Sequence, residues 1–192
     1  MPIVGSFAGA SARAYGLQSG LIGDFESIST IVLTGNQSTI NFTSIPQNYA
    51  HLQLRIIGRN SLIGSNQREY FKCNFNSDTT SANYRRHELI GNGSVVSVGS
   101  FQDGGISLGP TINSSNTFSA HIVDILDYAS TNKYKTVKTV CGYDGNGFGE
   151  CHINSGIWFS TSAITSINLS PFISGSNFFT QYTSLALYGV KA

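Results

Sequence analysis

In the predicted strand 50–57, apolar and polar side chains alternate from Ala50 to Ile56, and this pattern constrains the fold more than any other stretch of the chain. Leu52, Leu54 and Ile56 occupy every second position, with polar residues between them. Side chains of a β-strand point alternately to the two faces of a sheet, so a period of two predicts a strand with one buried face. No segment shows a sustained helical period. The sequence therefore predicts an all-β protein.

Clusters of turn-forming residues separate the remaining strand candidates. They include Thr34-Gly35-Asn36, Gly91-Asn92-Gly93 and Asp103-Gly104-Gly105, which favour the backbone conformations of tight turns. The strand spacing predicts an antiparallel β-sandwich of the jelly-roll type, with an immunoglobulin-like sandwich as the alternative. The predicted strands are residues 25–33, 40–42, 50–57, 69–75, 83–90, 95–101, 118–126, 134–143, 151–159, 163–169 and 182–190.

The first 24 residues differ in composition from everything that follows. Small residues and glycine recur there, with isolated larger side chains and no apolar periodicity. A chain of 192 residues suits one domain with a real core. We therefore expect a β-sandwich domain over residues 25–192, preceded by an extended docking arm, residues 1–24, that lies either on its own domain or on a partner. The candidate assembly contacts of the arm are Phe7, Arg13, Tyr15 and Leu17.

The low charge of the chain bears on its partners. Only 11% of the residues are charged, and the formal net charge is +1. A polar but weakly charged surface packs against other proteins without removing many ions from water. The small net charge gives no footprint for nucleic acid. We also expect no membrane partner and no export, because the sequence has neither a long apolar run nor a signal peptide.

No catalytic, cofactor or metal motif stands out in the sequence. The four histidines are isolated from one another, and His51 and His152 occupy alternating strand positions that we expect to face away from the core. Residues 144–150, DGNGFGE, superficially resemble a calcium loop but lack its third oxygen position and its distal glutamate. We interpret them as a hairpin loop. The sequence thus predicts a protein that is not an enzyme and needs no cofactor or metal.

Two features of the C-terminal half lead to specific structural expectations. Cys141 and Cys151 lie symmetrically about Asn146, so we expect them to face each other across a hairpin as free thiols. Trp158 alternates with Ile157 and Phe159. If its neighbours fill the core, Trp158 lies on the outer face and is a candidate assembly contact; burial under a loop or under the arm is the alternative.

Several segments together resemble a family of tailed-bacteriophage virion proteins of the cyanophage type. They are FESI at 25–28, SIPQNYAHLQLRIIGR at 44–59, DILDYASTNKYKTVKTV at 124–140, SGIWFSTSAITSINLSP at 155–171 and FTQYTSLALYGVK at 179–191. The opening GSFAGASARAYGL at 5–17 resembles the leaders of other phage structural proteins. The resemblance implies a virion structural or tail-fibre-like protein, assembled in the bacterial cytoplasm, with no catalytic residues to transfer.

Two functions remain open within that class. The first is a capsid decoration or cement protein, a homo-oligomer such as a trimer, that contacts the major capsid protein. The second is a tail-fibre or appendage protein that binds a host surface glycan or protein through Asn-, Ser- and Tyr-rich loops. A tail-fibre chain is expected to carry a longer shaft-forming region than this short leader, which favours the shell.

Overall fold

Twelve β-strands make up almost all of the regular structure in the described part of the chain. A computed structural model describes residues 24–62, 68–173 and 178–191. The candidate contacts in the arm lie outside these residues. In the described part, no helix is long and apolar enough to cross a membrane. The strands are β1 Phe25–Val32, β2 Ile40–Phe42, β3 His51–Gly58, β4 Arg68–Phe75, β5 Tyr84–Gly91, β6 Val96–Phe101, β7 Ile106–Ile112, β8 Ser119–Leu126, β9 Lys135–Asp144, β10 Gly149–Trp158, β11 Ile167–Pro171 and β12 Ser184–Val190.

The strands pair in a nested order that confirms the jelly-roll prediction. The first strand β1 pairs with the last strand β12, β2 pairs with β11, β3 with β8 and β4 with β7, all antiparallel. The chain therefore resembles one long hairpin that is rolled into two sheets. Strand β12 also pairs with β3, and β11 with β4, which completes two four-stranded sheets. This arrangement is the double-sheet jelly roll of eight strands.

Two inserted hairpins widen one of the sheets. The β5–β6 hairpin lies between β4 and β7 in the chain, and the β9–β10 hairpin lies between β8 and β11. Because β9 pairs with β8 and β10 pairs with β5, both hairpins extend the same sheet. Its order is β1-β12-β3-β8-β9-β10-β5-β6, whereas the second sheet keeps the order β2-β11-β4-β7.

The apolar core lies between the two sheets. The alternating residues Leu52, Leu54 and Ile56 of β3 point inward and are at most 2% exposed, as predicted. Phe71 and Phe75 of β4 face them from the second sheet and are fully buried. Each such side chain stabilises the fold by about 1.5–3 kcal/mol through removal of its apolar surface from water. This burial fixes which face of each strand looks outward.

Strand β7 has no counterpart among the predicted strands. All seven of its residues are buried, so its sequence, ISLGPTI, lacks the alternation that marks a half-exposed strand. Gly109 has a positive φ of 97° at the bulge where β7 pairs with β4. A Cβ atom there would lie 1.9 Å from Cys141 Sγ, so only glycine fits.

The face of strand β10 that points into the core is the opposite of the predicted one. His152, Asn154 and Trp158 are buried, whereas Cys151 and Ile153 are exposed. The prediction that His152 faces away from the core is therefore wrong, as is the prediction that Trp158 lies on the outer face as a surface contact. For Trp158 the alternative expectation of burial holds. The error has a physical origin: the interior beneath β10 is partly polar, so apolar character does not identify the inner face.

The β9–β10 hairpin forms as predicted, but its register differs by one residue. Asp144 pairs with Gly149, so Cys141 lies opposite His152 and Cys151 lies opposite Gly142. The loop closes with a hydrogen bond from the Gly145 N–H to the Phe148 carbonyl. Cys141 points into the core and Cys151 points outward. The predicted face-to-face cysteine pair is therefore wrong, because a shift of one residue places the side chains on opposite faces.

Asp78 fixes the position of the buried Trp158. The indole Nε1–H donates to Asp78 Oδ2 at 2.8 Å, and Asn83 donates to the same oxygen at 2.8 Å. The indole ring also stacks on Tyr84, with planes inclined by 17°. Burial alone would raise the pKa of Asp78, but the hydrogen bonds from Trp158, Asn83 and Thr80 outweigh it and lower the pKa to about 2. This contact ties β10 to the connection between β4 and β5.

Replacing Trp158 by phenylalanine should lower the free energy of unfolding by about 2 kcal/mol, because a charge-assisted hydrogen bond and packing are lost. The lowered pKa of Asp78 contributes stability above pH 3.8 that is lost as the pH falls towards 2. The difference in free energy of unfolding between the wild type and W158F, measured by urea unfolding, should therefore become smaller as the pH falls over that range. Phe159→Leu, at an exposed neighbouring aromatic, should change stability by no more than about 0.5 kcal/mol. Equal effects of the two substitutions would contradict this assignment.

Candidate functional site

The outer face of the eight-stranded sheet carries a row of exposed apolar side chains that crosses five adjacent strands. Pairing aligns Ile122 with Val140, Val140 with Ile153, Ile153 with Leu89 and Leu89 with Val98. In this order the exposed fractions are 45%, 41%, 49%, 44% and 80%. Half-exposed sheets normally place polar residues on their outer face. The row is therefore an exception that a functional role can explain.

A second row on the same face is also weakly polar. It consists of Ile57, Ala120, Gly142, Cys151, Gly91 and Val96, aligned across six strands by the same pairing. Ile57 and Val96 are 54% and 70% exposed. We call the two rows together the apolar platform. A polar row borders the first row on the same face of the sheet, on the side away from the second row. It consists of Asp124, Lys138, Ser155, His87 and Ser100.

Two shallow grooves flank the first row at its end nearest β6. One encloses about 560 Å³ beside Leu89, Val98 and Ile153, and His87, Ser100 and Ser155 form its polar side. The other, of about 200 Å³, lies between Leu89, Val96 and Cys151. Both are open to solvent. Contiguous apolar surface with a polar rim is typical of sites that bind another protein.

The sequence offers only a weak signal for the platform. Adjacent apolar residues such as Ile122-Val123 and Leu89-Ile90 show that a strand carries apolar side chains on both faces. The alignment of such positions across neighbouring strands depends on register, which a local pattern does not specify. None of the predicted contact residues belongs to the platform, because Trp158 is buried and the other four lie in the arm.

A second surface feature lies where two hairpin loops approach each other. A cleft of about 500 Å³ is lined by glycines and by Asn92, Tyr143, Asp144 and Phe148. The rings of Tyr143 and Phe148 meet edge to face with centroids 6.4 Å apart. Asp144 Oδ1 accepts a hydrogen bond of 2.9 Å from the Asn146 N–H, and Asn146 and Gly147 adopt positive φ. This is the turn chemistry expected of a hairpin loop.

The structure brings together one set of residues that could suggest chemistry. Cys141 lies opposite His152, whose Nε2 is 2.8 Å from Glu150 Oε2, and Glu150 forms an ion pair with Arg68. Cysteine nucleophiles are exposed and have a lowered pKa. Cys141 is instead only 3% exposed, and burial raises its pKa to about 12. The thiol is therefore neutral and inaccessible at physiological pH.

A buried histidine occupies the same polar part of the interior. His121 Nδ1 donates to the Leu108 carbonyl at 2.8 Å, since a carbonyl can only accept, and Nε2 lies 2.8 Å from Ser119 Oγ. Burial lowers the pKa of His121 to about 4, although the Leu108 carbonyl favours the protonated ring. The ring is thus neutral and structural at neutral pH.

Comparisons of the chain with protein-family models, curated proteins and solved structures found no match. Over residues 24–62, 68–173 and 178–191, no three His, Cys, Asp or Glu side chains converge in a group that could hold a metal ion. Because a jelly roll hosts unrelated functions, function has to be argued from the surface itself. The apolar platform is the most distinctive part of that surface.

Alkylation of the native protein should modify Cys151 and leave Cys73 and Cys141 unmodified, because burial raises the pKa of both core thiols and excludes the reagent. Intact mass should show one adduct in the native state and three after unfolding in denaturant. Rapid modification of Cys141 in the folded protein would mean that the β9–β10 register is wrong.

The buried His121 should make stability depend on pH. Its folded pKa of about 4 lies below the ordinary 6.5, so the unfolded chain binds the proton more tightly. Stability is therefore retained above pH 6.5 and lost as the pH falls towards 4, by about 3 kcal/mol in total. Urea unfolding from pH 8 to 4 measures this loss, which should be smaller in H121Q. An unchanged profile in H121Q would refute the assignment.

Proposed function

We propose that this protein is a non-enzymatic structural component of a bacteriophage particle and that it decorates the capsid shell. The observation that carries the proposal is the apolar platform, with its row of five aligned and exposed side chains from Ile122 to Val98. Such a surface is costly to leave in water and is stabilised when another protein covers it. The resemblance of the sequence to virion proteins supplies the biological setting.

The geometry of the platform favours a protein partner. It lies on the face of a sheet, and its flanking grooves are shallow and open, whereas sites for small molecules are concave and enclose most of the ligand. The low charge of the chain suits an extended contact with a capsid protein. Residues 1–24 would add further contacts through Phe7, Arg13, Tyr15 and Leu17. In this proposal the protein is assembled into the virion in the host cytoplasm.

A non-enzymatic role agrees with the state of the polar interior. The neutral thiol of Cys141 and the buried ring of His152 have no access to a substrate, and His121 forms hydrogen bonds that position strands. These residues belong to the interior, and the surface that carries the proposal is the apolar platform.

The cleft between the hairpin loops favours a second candidate, a tail-fibre or appendage protein that binds a host glycan or protein. Phe148 is 53% exposed beside Tyr143, and Asn92 and Asp144 supply hydrogen-bonding groups. Aromatic rings with adaptable polar neighbours are typical of recognition loops. Under this alternative, F148A would abolish binding to host cells and leave incorporation into the particle unchanged.

Ile153→Asp should reduce occupancy on phage particles at least tenfold, because a carboxylate at the centre of the platform would lose its water on docking. Quantitative mass spectrometry of purified virions measures occupancy. Tyr182→Asp, at a 66% exposed aromatic outside the platform, is the matched control and should be incorporated normally.

The copy number in the same virions separates the two candidates. A decoration protein follows the symmetry of the shell and should be present in on the order of hundreds of copies, whereas a tail appendage is present in about a few to some tens. Normal incorporation of I153D, or a low copy number, would contradict a role on the shell.

A further inference from the structure

Strand β6 ends the eight-stranded sheet and is exposed along most of its length. Within the part of the chain that the structure describes, no strand pairs with its outer edge. Five of its six residues are exposed, among them Val96 and Val98 at 70% and 80%. Residues 95–101, VVSVGSF, contain no charged residue and no proline. Open edges of this kind pair readily with another strand, and natural proteins usually block them.

The other three sheet edges are blocked in the usual ways. Strand β1 has a bulge between Ser27 and Ser29, and its Glu26 is paired with Lys191 at 2.9 Å. Strand β2 has only three residues. Strand β7 is buried throughout and contains Pro110. Among the edges of the described strands, only that of β6 combines length, exposure and absence of charge, so it lacks the protection that the other three edges have.

The hairpin geometry shows which backbone groups of β6 are available. The Asn92 N–H donates to the Val95 carbonyl, which makes these two residues a hydrogen-bonded pair. Hydrogen-bonded and non-hydrogen-bonded pairs alternate along an antiparallel ladder. The pairs at Val96, Val98 and Ser100 are therefore non-hydrogen-bonded. The N–H and C=O groups of these three residues point away from β5, towards the open edge.

We propose that β6 of a second copy of this chain pairs with this edge, antiparallel and about a two-fold axis at Val98. Val98 then lies opposite Val98 of the second copy, and Val96 lies opposite Ser100 on both sides of the axis. Each of these pairs exchanges both backbone hydrogen bonds. The inference goes beyond the proposed function and does not depend on it.

The self-complementarity of β6 identifies a second copy as the partner. In this register no charge faces a like charge, and the exposed Val98 packs against its own equivalent. The first row of the platform continues across the axis, so Val98 and Leu89 of one copy extend the same row of the other. Because the opposite edge at β1 is blocked by its bulge, the pairing closes at two copies and does not propagate into a fibre.

Sedimentation of the full-length protein at micromolar concentrations tests the pairing. The wild type should have twice the 20.6 kDa mass of the chain. V98K should be monomeric, because two lysines would lie opposite each other. V98P should also be monomeric, since it removes an N–H that points to the open edge and is not used by β5. Val32→Lys, at a 60% exposed residue of the opposite edge strand, should remain a dimer.

A mixture of variants tests the two-fold axis itself. V98K and V98E should each be monomeric, and mixing them should restore a dimer that contains one of each, because opposite charges then meet at the axis. Far-UV circular dichroism should show the native spectrum for every variant, since the Val98 side chain is 80% exposed.

Four results would overturn the proposal: a wild-type monomer, a wild-type trimer, a dimer that survives V98P, or a dimer that V32K dissociates while V98K does not. A monomeric result would leave the shell role intact, because occupancy on virions is measured separately.

Discussion

The two sheets differ in width, and this difference determines which parts of the larger sheet the smaller sheet leaves uncovered. Four strands cover a sheet of eight, so the inner face of β5 and β6 needs other groups to fill it. Arg86 lies there between Glu88 and Asp103, with the ring of Phe101 4.1 Å from its guanidinium carbon. These paired and stacked groups replace a second sheet. Nothing in the described structure covers the outer face, which is where the apolar platform lies.

The two inserted hairpins contribute most of the apolar platform to an otherwise ordinary jelly roll. Strands β9, β10, β5 and β6 contribute four of the five positions in the first row of the platform, and β8 of the original roll contributes the fifth. Insertions between core strands are tolerated because the core already closes without them. Here they extend the larger sheet, and in the two proposals the outer face of this extension docks on a partner and its last strand pairs with a second copy.

The strands could be predicted from the sequence because alternation and turn residues act locally. Strand β7 was not predicted, because a fully buried strand such as 106–112 has no alternation of apolar and polar residues. The inward face of β10 was predicted wrongly, because His152 and Asn154 point into a polar interior while Ile153 faces outward. The platform depends on the register of six strands, and the β9–β10 hairpin shows that a loop of this kind leaves register uncertain by one residue.

Amide hydrogen exchange along β6 tests most directly whether the open edge is an interface. In the wild-type protein at high concentration, the amides of Val96, Val98 and Ser100 should exchange slowly, and at least about tenfold faster in monomeric V98K. Ser97, Gly99 and Phe101, which bond to β5, should change little. Fast exchange at Val96, Val98 and Ser100 in the wild type, equal to that in V98K, would show that the edge is free and would contradict the account.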